Sequence, residues 1–191
     1  SPEERLTYLH MANNDGVTPL YIAAEKGHID VIKELLQGLS PEERLTYLHM
    51  ANNDKVTPLY AAACHEKVEV LIEVIKELLQ GLTTEERLTY LHIAETDKCT
   101  PLYIAAKHGH IEVIKELLEG LKTPEERKAY LLTATNNGAT PFLIAAQKGH
   151  ANVIKELLEG LDTPEERKAY LHMEDNAGWT PLQIAARQGK V

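Results

Sequence analysis

Residues 15–36 read DGVTPLYIAAEKGHIDVIKELL, and how this stretch is read decides the fold. Thr18 stands where a helix N-cap is wanted, and Pro19 suits the first helical position, where a missing N–H costs nothing. Ala23 and Ala24 are small enough for a second helix to approach closely. Gly27 lets the chain turn. In the following HIDVIKELL, an apolar stripe of Ile29, Val31, Ile32, Leu35 and Leu36 opposes Asp30, Lys33 and Glu34. Gly38 followed by Leu39 predicts a left-handed cap with a hydrophobic return contact. The stretch therefore predicts a helix hairpin.

The same grammar returns along the chain. Thr-Pro begins at Thr18, Thr57, Thr100, Thr140 and Thr180, at spacings of 39, 43, 40 and 40 residues. A fixed period of this size predicts a solenoid, in which each unit packs only on its neighbours. The expected organisation is a single repeat array over residues 1–191. Residues 1–17 close a preceding repeat, 18–56, 57–99, 100–139 and 140–179 are four repeats, and 180–191 are a truncated one. The opening SPEERLTYLHM reads as the tail of a missing unit, and RQGKV stops where an outer helix is due. A longer array, or a larger protein carrying one, is the expectation.

At this point the residues resemble the ankyrin repeat, in the Asp-Gly before Thr-Pro-Leu, the Ala-Ala-x-x-Gly-His and the Val-Ile-x-x-Leu-Leu elements of 15–36. The resemblance recurs five times, the last copy being partial, and covers roughly half to two-thirds of each unit. It implies an inner helix, an outer helix and a projecting hairpin finger. Tyr21, Tyr60 and Tyr103 replace the usual His after Thr-Pro-Leu, and Leu143 and Gln183 also depart from it. The hydrogen bonds of that His are not carried over.

An ordinary ankyrin unit has about 33 residues. The excess here lies between the outer helix and the finger, in SPEER, TTEER, TPEER and TPEER. Ser40 with Glu43, Thr83 with Glu86, Thr123 with Glu126 and Thr163 with Glu166 spell the capping box. Pro41, Pro124 and Pro164 stand at the first helical position, and two acidic residues suit the helix dipole. A short third helix is predicted, over 124–131 in the third full copy. Alone it is too short to persist in water, so Leu45, Tyr47, Leu48 and their equivalents must pack it on the stack. The fold class is all-α: an ankyrin-like solenoid with three helices per repeat and finger loops or hairpins. The Glu-Glu-Arg triplet could form a charged ridge, but identical residues in every copy point to an identical structural task.

Copy two is four residues longer, one helical turn, and Val68, Val70, Leu71, Ile72, Val74 and Ile75 make its outer helix unusually apolar. Tighter local packing is expected there, and Glu66 stands where the other copies have Gly. His28, His110 and His150, and His10, His49, His92 and His172, recur at one per repeat rather than in a cluster; His108 and His110 flank Gly109 as a weak pair. No specific metal and no cofactor are expected. Cys64 and Cys99 make no disulfide framework and no zinc pattern, which fits a reducing compartment and small-hydrophobe roles.

The net charge of −9 argues against nucleic acid, and no apolar run approaches the roughly 20 residues of a membrane span. No nucleophile–base or phosphate-loop signature is present. The expected function is a non-catalytic scaffold for protein–protein interaction, with a protein partner of unidentified kind and no membrane insertion. The alternative is a targeting or regulatory array of a larger enzyme or bacterial effector whose catalytic domain lies elsewhere. Cytoplasmic localisation follows from the thiols, or the host cytosol in the effector reading. Specific recognition belongs where copies differ: after Ala-Ala, at the finger tips and just before Thr-Pro. The partner-binding candidates are Tyr21, Glu25, Asp54, Tyr60, Lys98, Tyr103, Lys107 and Trp179. The tyrosines have inter-repeat packing as their alternative role.

Overall fold

A computed structural model describes residues 2–64, 68–94 and 97–190; Glu66, His65 and the finger residues Glu95 and Thr96 lie outside the described residues. The chain divides into two compact units, residues 1–96 and 97–191. All regular structure among the described residues is helical.

The first unit holds α1 (Pro2–Leu9), inner helix α2 (Pro19–Lys26), outer helix α3 (Ile29–Leu36), third helix α4 (Pro41–Leu48), inner helix α5 (Pro58–Ala63), outer helix α6 (Val68–Leu79) and third helix α7 (Thr84–Leu91). Inner helix α2 packs on α5, outer helix α3 packs on α6, and each inner helix packs on its own outer helix. The second unit holds α8 (Pro101–His108), α9 (Ile111–Leu118), α10 (Pro124–Leu131), α11 (Pro141–Lys148), α12 (Ala151–Glu159), α13 (Pro164–Leu171) and α14 (Pro181–Arg187). Here α8, α11 and α14 pack in a row as inner helices, and α9 packs on α12 as outer helices. Three helices per repeat, as the sequence predicts, are therefore present in both units.

Ala23, Ala24, Ala62, Ala63, Ala105, Ala106, Ala145 and Ala146 are buried, so the small pair in each inner helix sits where helices meet. The apolar stripe of α3 needs one correction. Ile32 and Leu36 are buried, but Val31 is 47% exposed. The equivalent Val74 of α6 and Val153 of α12 are buried, each on a helix packed against the outer helix of the copy before it. Among the described residues no outer helix lies before α3 to cover its valine. The extra turn of copy two appears as predicted: α6 has 12 residues against 8 in α3, and it buries Leu71, Val74, Ile75, Leu78 and Leu79. Val68, Val70 and Ile72 are half-buried rather than an open patch.

The cap expected at Gly38 forms. Gln37 (φ −63°, ψ 132°) and Gly38 (φ 72°) trace a type II turn that returns Leu39 to the helix end. The fourth copy departs from it. There α12 runs one residue further, to nine, and Gly160 stays right-handed at φ −71° beside Leu131.

The third helix is held in three ways. Its start is a capping box in all four complete copies: the Ser40 hydroxyl accepts from Glu43 N–H at 3.3 Å, and Glu43 accepts from Ser40 N–H at 2.7 Å, with the same exchange at Thr83, Thr123 and Thr163. These bonds from Ser40 and from Thr83 hold the Glu43 and Glu86 carboxyls below the usual carboxylate range. Glu166 is lowered first by Lys128, which reaches it from α10 at 2.8 Å, and then by its cap.

The arginines of four triplets serve the ends of outer helices. Arg5 donates to the Glu34 carbonyl at 2.9 Å and Arg44 to that of Glu77 at 2.5 Å, while Arg127 and Arg167 donate to Leu121 and Leu161 at 3.0 Å. These carbonyls are left over at or just past helix C-termini, and a cation suits the dipole there.

The tyrosine is the third tie. Tyr47, Tyr90, Tyr130 and Tyr170 are among the largest fully buried side chains. Leu20 N–H donates to the Tyr47 hydroxyl at 3.2 Å, Leu102 N–H to Tyr130 at 3.2 Å, and Phe142 N–H to Tyr170 at 3.3 Å. Each of these amides is the second of an inner helix. The first residue is proline and has no N–H. The third donates to the cap threonine, as Tyr21 does to Thr18 at 3.2 Å, and the fourth to that threonine's carbonyl. In α2, α8 and α11 every orphan donor of the first turn is thereby satisfied. Burial pushes the Tyr47 hydroxyl up to about 12, against the lowering effect of the Leu20 amide. In copy two, Tyr90 is aimed at the Leu59 amide, but its hydroxyl makes no hydrogen bond of standard geometry. Leu45 is only half-buried, so Tyr47 and Leu48 do most of the anchoring expected of the three.

Candidate partner-binding surface

The fingers are three-residue turns closed at the base. Asn13 N–H donates to the Val17 carbonyl at 3.1 Å, Gly16 N–H to the Asn13 carbonyl at 3.0 Å, and the Asn13 side-chain oxygen accepts from Asp15 and Val17. Asn52 and Asp175 repeat this arrangement, and Thr135 supplies a hydroxyl at the same place. Neighbouring fingers are joined tip to tip. Asn53 donates through its backbone to Asp15 at 3.0 Å and through its amide to Asn14 at 3.1 Å; Asn176 does the same to Asn137 and Asn136 at 3.0 and 2.9 Å. The asparagines that vary at the tips are thus occupied in stacking one finger on the next.

The last residue of such a turn is left-handed, which suits glycine. Gly16, Gly138 and Gly178 take it at φ 77°, 78° and 78°. At Gly16 a Cβ would lie 2.8 Å from the Asn53 side chain and 3.0 Å from its backbone nitrogen. Lys55 and Lys98 take the same conformation at φ 64° and 60°, and they are the positive-φ non-glycine residues among those described. Both are exposed. A left-handed residue with a Cβ costs roughly 1–2 kcal/mol, and lysine has no short polar side chain to compensate locally. Strain of this kind on an exposed turn tip points to a use for the side chain.

The sequence-selected candidates fall into two groups. In the first unit, Tyr21 is half-buried, and its hydroxyl is pushed up first by burial and then by Glu25, Cys64 and Asp54. Tyr21, Glu25 and Asp54 therefore come together in one acidic neighbourhood, in which Glu25 also pairs with Lys26 at 3.0 Å. Tyr60 is 8% exposed, which places its ring in the inter-repeat packing. In the second unit, Tyr103 is half-buried and Lys98 and Lys107 are exposed. The Lys107 carbonyl accepts from the His150 ring at 3.1 Å. Trp179 is 38% exposed, with the Arg187 guanidinium over its ring at 5.2 Å. The structure does not gather Trp179 with Tyr103 or Lys107 into one site.

Lys55, His108 and Lys148 stand at the variable positions where the sequence puts recognition but not among its partner-binding candidates, and His150 beside Lys107 stands outside both. Lys55 had a visible signal: a lysine where three of five fingers have glycine.

Two of the finger-position histidines pack on tyrosines. His10 lies 5.6 Å from the Tyr47 ring and His49 lies 5.4 Å from the Tyr90 ring. The outer nitrogens of both, His10 Nε2 and His49 Nε2, are buried without a hydrogen-bond partner. Cys64 is exposed, against the small-hydrophobe role expected of it, while Cys99 is half-buried; the two are not joined by a disulfide. Among the described residues no group of three or more His, Cys, Asp or Glu side chains has a metal-binding arrangement. No described helix is long and apolar enough to cross a membrane.

A family model described as ankyrin repeats (3 copies) matches residues 4–80, 43–126, 72–166 and 128–191. A search of curated proteins gives no match.

Proposed function

Because the chain belongs to the ankyrin-repeat family, a family of modules for protein–protein interaction, we propose that it is a non-catalytic scaffold binding a protein partner through its finger tips and inner helices. The observation that carries this reading is the left-handed backbone of Lys55 and Lys98 on exposed finger tips. Stability alone favours glycine there, so a long cationic side chain at that place is best explained by contact with a partner. The acidic neighbourhood of Tyr21, Glu25 and Asp54 adds a polar rim around a half-buried aromatic ring, and Trp179 adds an aromatic anchor; Tyr and Trp are over-represented among binding hot spots. In this reading the copies at 18–56, 57–99, 100–139 and 140–179 serve as one array. The reading includes no metal or cofactor, and the free thiols are compatible with a reducing cytoplasm. The net charge of −9 disfavours nucleic acid as the partner.

The test is capture of a partner by the intact chain from a lysate, identification by mass spectrometry, and titration of the purified pair. Alanine at Lys55, Lys98 and Trp179 should weaken binding by about tenfold or more, with the helical circular dichroism unchanged. Alanine at Glu85 and Glu125, exposed on the third helices, should leave it nearly unchanged. The opposite pattern moves the site to the Glu-Glu-Arg ridge.

A further inference from the structure

The inner helices of the second unit end in AAKHGHI (105–111), AAQKGHA (145–151) and AARQGK (185–190). These three ends carry Lys107, Lys148, Arg187 and Lys190 with His108, His110 and His150, and no Asp or Glu, in a chain of net charge −9. Because α8 packs on α11 and α11 on α14, the ends lie side by side. They are drawn together at two glycines. A Cβ on Gly109 would come within 2.9 Å of the His150 ring, and one on Gly149 within 2.8 Å of the Lys190 side chain. The His108 and His110 rings stack at 5.7 Å and 18°. Lys107, His108, Lys148 and Lys190 are exposed, and His110 and His150 half-exposed.

The helix dipole favours a cation at each C-terminus. In the first unit the α2 end meets that need with Lys26, whose charge is matched by Glu25 at 3.0 Å. In the second unit the cations accumulate against their own repulsion. His108 is held below the ordinary histidine range by burial and then by Lys107, His150 and Lys148; His110 by burial, His108 and His150. The nearby carboxylate of Glu112 on α9 is taken by Lys115 at 2.9 Å, and Arg187 of α14 lies over Trp179.

We propose that this cationic edge docks an acidic segment of the partner protein, running across the inner-helix ends as an extended chain with a carboxylate at about every third residue. The spacing follows from geometry. Packed helices lie about 8–10 Å apart, and three residues of extended chain span about 10 Å. The inference rests on the protein-binding reading above and adds the chemistry of the partner. A short segment with one carboxylate per helix end is confined to this edge, whereas a phosphate backbone, charged at every nucleotide, extends over the acidic surface elsewhere on the chain, which favours a peptide over a nucleic acid.

The test uses the intact chain and a labelled peptide of about twelve residues with Glu at every third position and Ser or Gly between, followed by fluorescence anisotropy at low salt. Binding should weaken by about tenfold in the triple variant Lys107→Glu, Lys148→Glu, Lys190→Glu, and again on raising salt to ~150 mM. A charge-matched control, Lys26→Glu, Lys33→Glu, Lys155→Glu, should bind as the parent does. Affinity should rise as pH falls below the ordinary histidine value of about 6.5 and His108 and His110 take up protons. That rise should shrink in His108→Gln, His110→Gln. Circular dichroism confirms that each variant is folded. The proposal is overturned by absence of peptide binding, by the edge variant binding within about twofold of the parent, by equal loss in the control, or by an oligonucleotide binding more tightly than the peptide. A partner captured from lysate that still binds the edge variant leaves the scaffold reading standing while this inference falls.

Discussion

Lys55 and His49 show how much one position can hold. Replacing Lys55 by glycine relieves left-handed strain of roughly 1–2 kcal/mol and gives back part of it as unfolded-chain entropy. The expected outcome is a chain more stable by about 0.5–1 kcal/mol in denaturant titration and weaker for its partner. A variant that loses stability removes the strain argument. At His49, burial holds the ring below the usual histidine range, so the folded state favours the neutral form. The unfolded chain then binds protons first as pH falls. The stability it contributes is whole above about pH 6.5 and is lost below it. His49→Leu, the residue that copy three carries as Leu132, should flatten the fall in melting temperature between pH 7 and pH 5. The identity of Lys55 was legible in the sequence and its importance was not, because the left-handed turn is a property of the backbone that only the closed finger reveals.

The third helix was legible at its start and not at its anchor. A capping box is a bond between residues three apart, so Ser40 with Glu43 and Thr123 with Glu126 declare themselves to anyone reading along the chain. Tyr130 and the Leu102 amide are 28 residues apart, and only packing brings them within 3.2 Å. The same limit explains Val31: its periodicity matches that of buried Val74 and Val153, but burial depends on whether a helix lies in front of it. Two substitutions separate the parts of this element. Thr123→Ala should cost about 1 kcal/mol, typical of a lost N-cap. Tyr130→Phe leaves the buried Leu102 amide without its acceptor and should cost about 1–3 kcal/mol, whereas Tyr90→Phe removes a hydroxyl that has no good bond and should be nearly neutral. Equal losses at Tyr90 and Tyr130, measured by urea titration, would show that the tyrosines act by ring packing alone.

Across the molecule, each copy buries its core against an adjacent copy, so damage should stay near where it is made. Leu117, fully buried on α9, should cost about 2–5 kcal/mol as Leu117→Ala. Hydrogen exchange should quicken first in α9 and in α8 and α12, the helices that α9 packs on. Uniform acceleration through the whole second unit would mean that its copies open as one body. The repeat itself was readable from the chain because it recurs; the partner surface was only partly so, because the fields around Tyr21 and His108 arise from groups on different elements. The tyrosine tie also sets the unit by which such a chain can grow. Leu20 and Tyr47 lie within one copy, 27 residues apart. A duplicated block opening at Thr-Pro and closing after Tyr-Leu brings both the amide and the hydroxyl that answers it, so copies in that frame can be spliced in or out without leaving a loose end at either junction. A block that brings an inner and an outer helix without a third helix leaves one inner helix unsealed, which makes the whole three-helix period, rather than the helix hairpin, the quantity a gene-splicing experiment should respect.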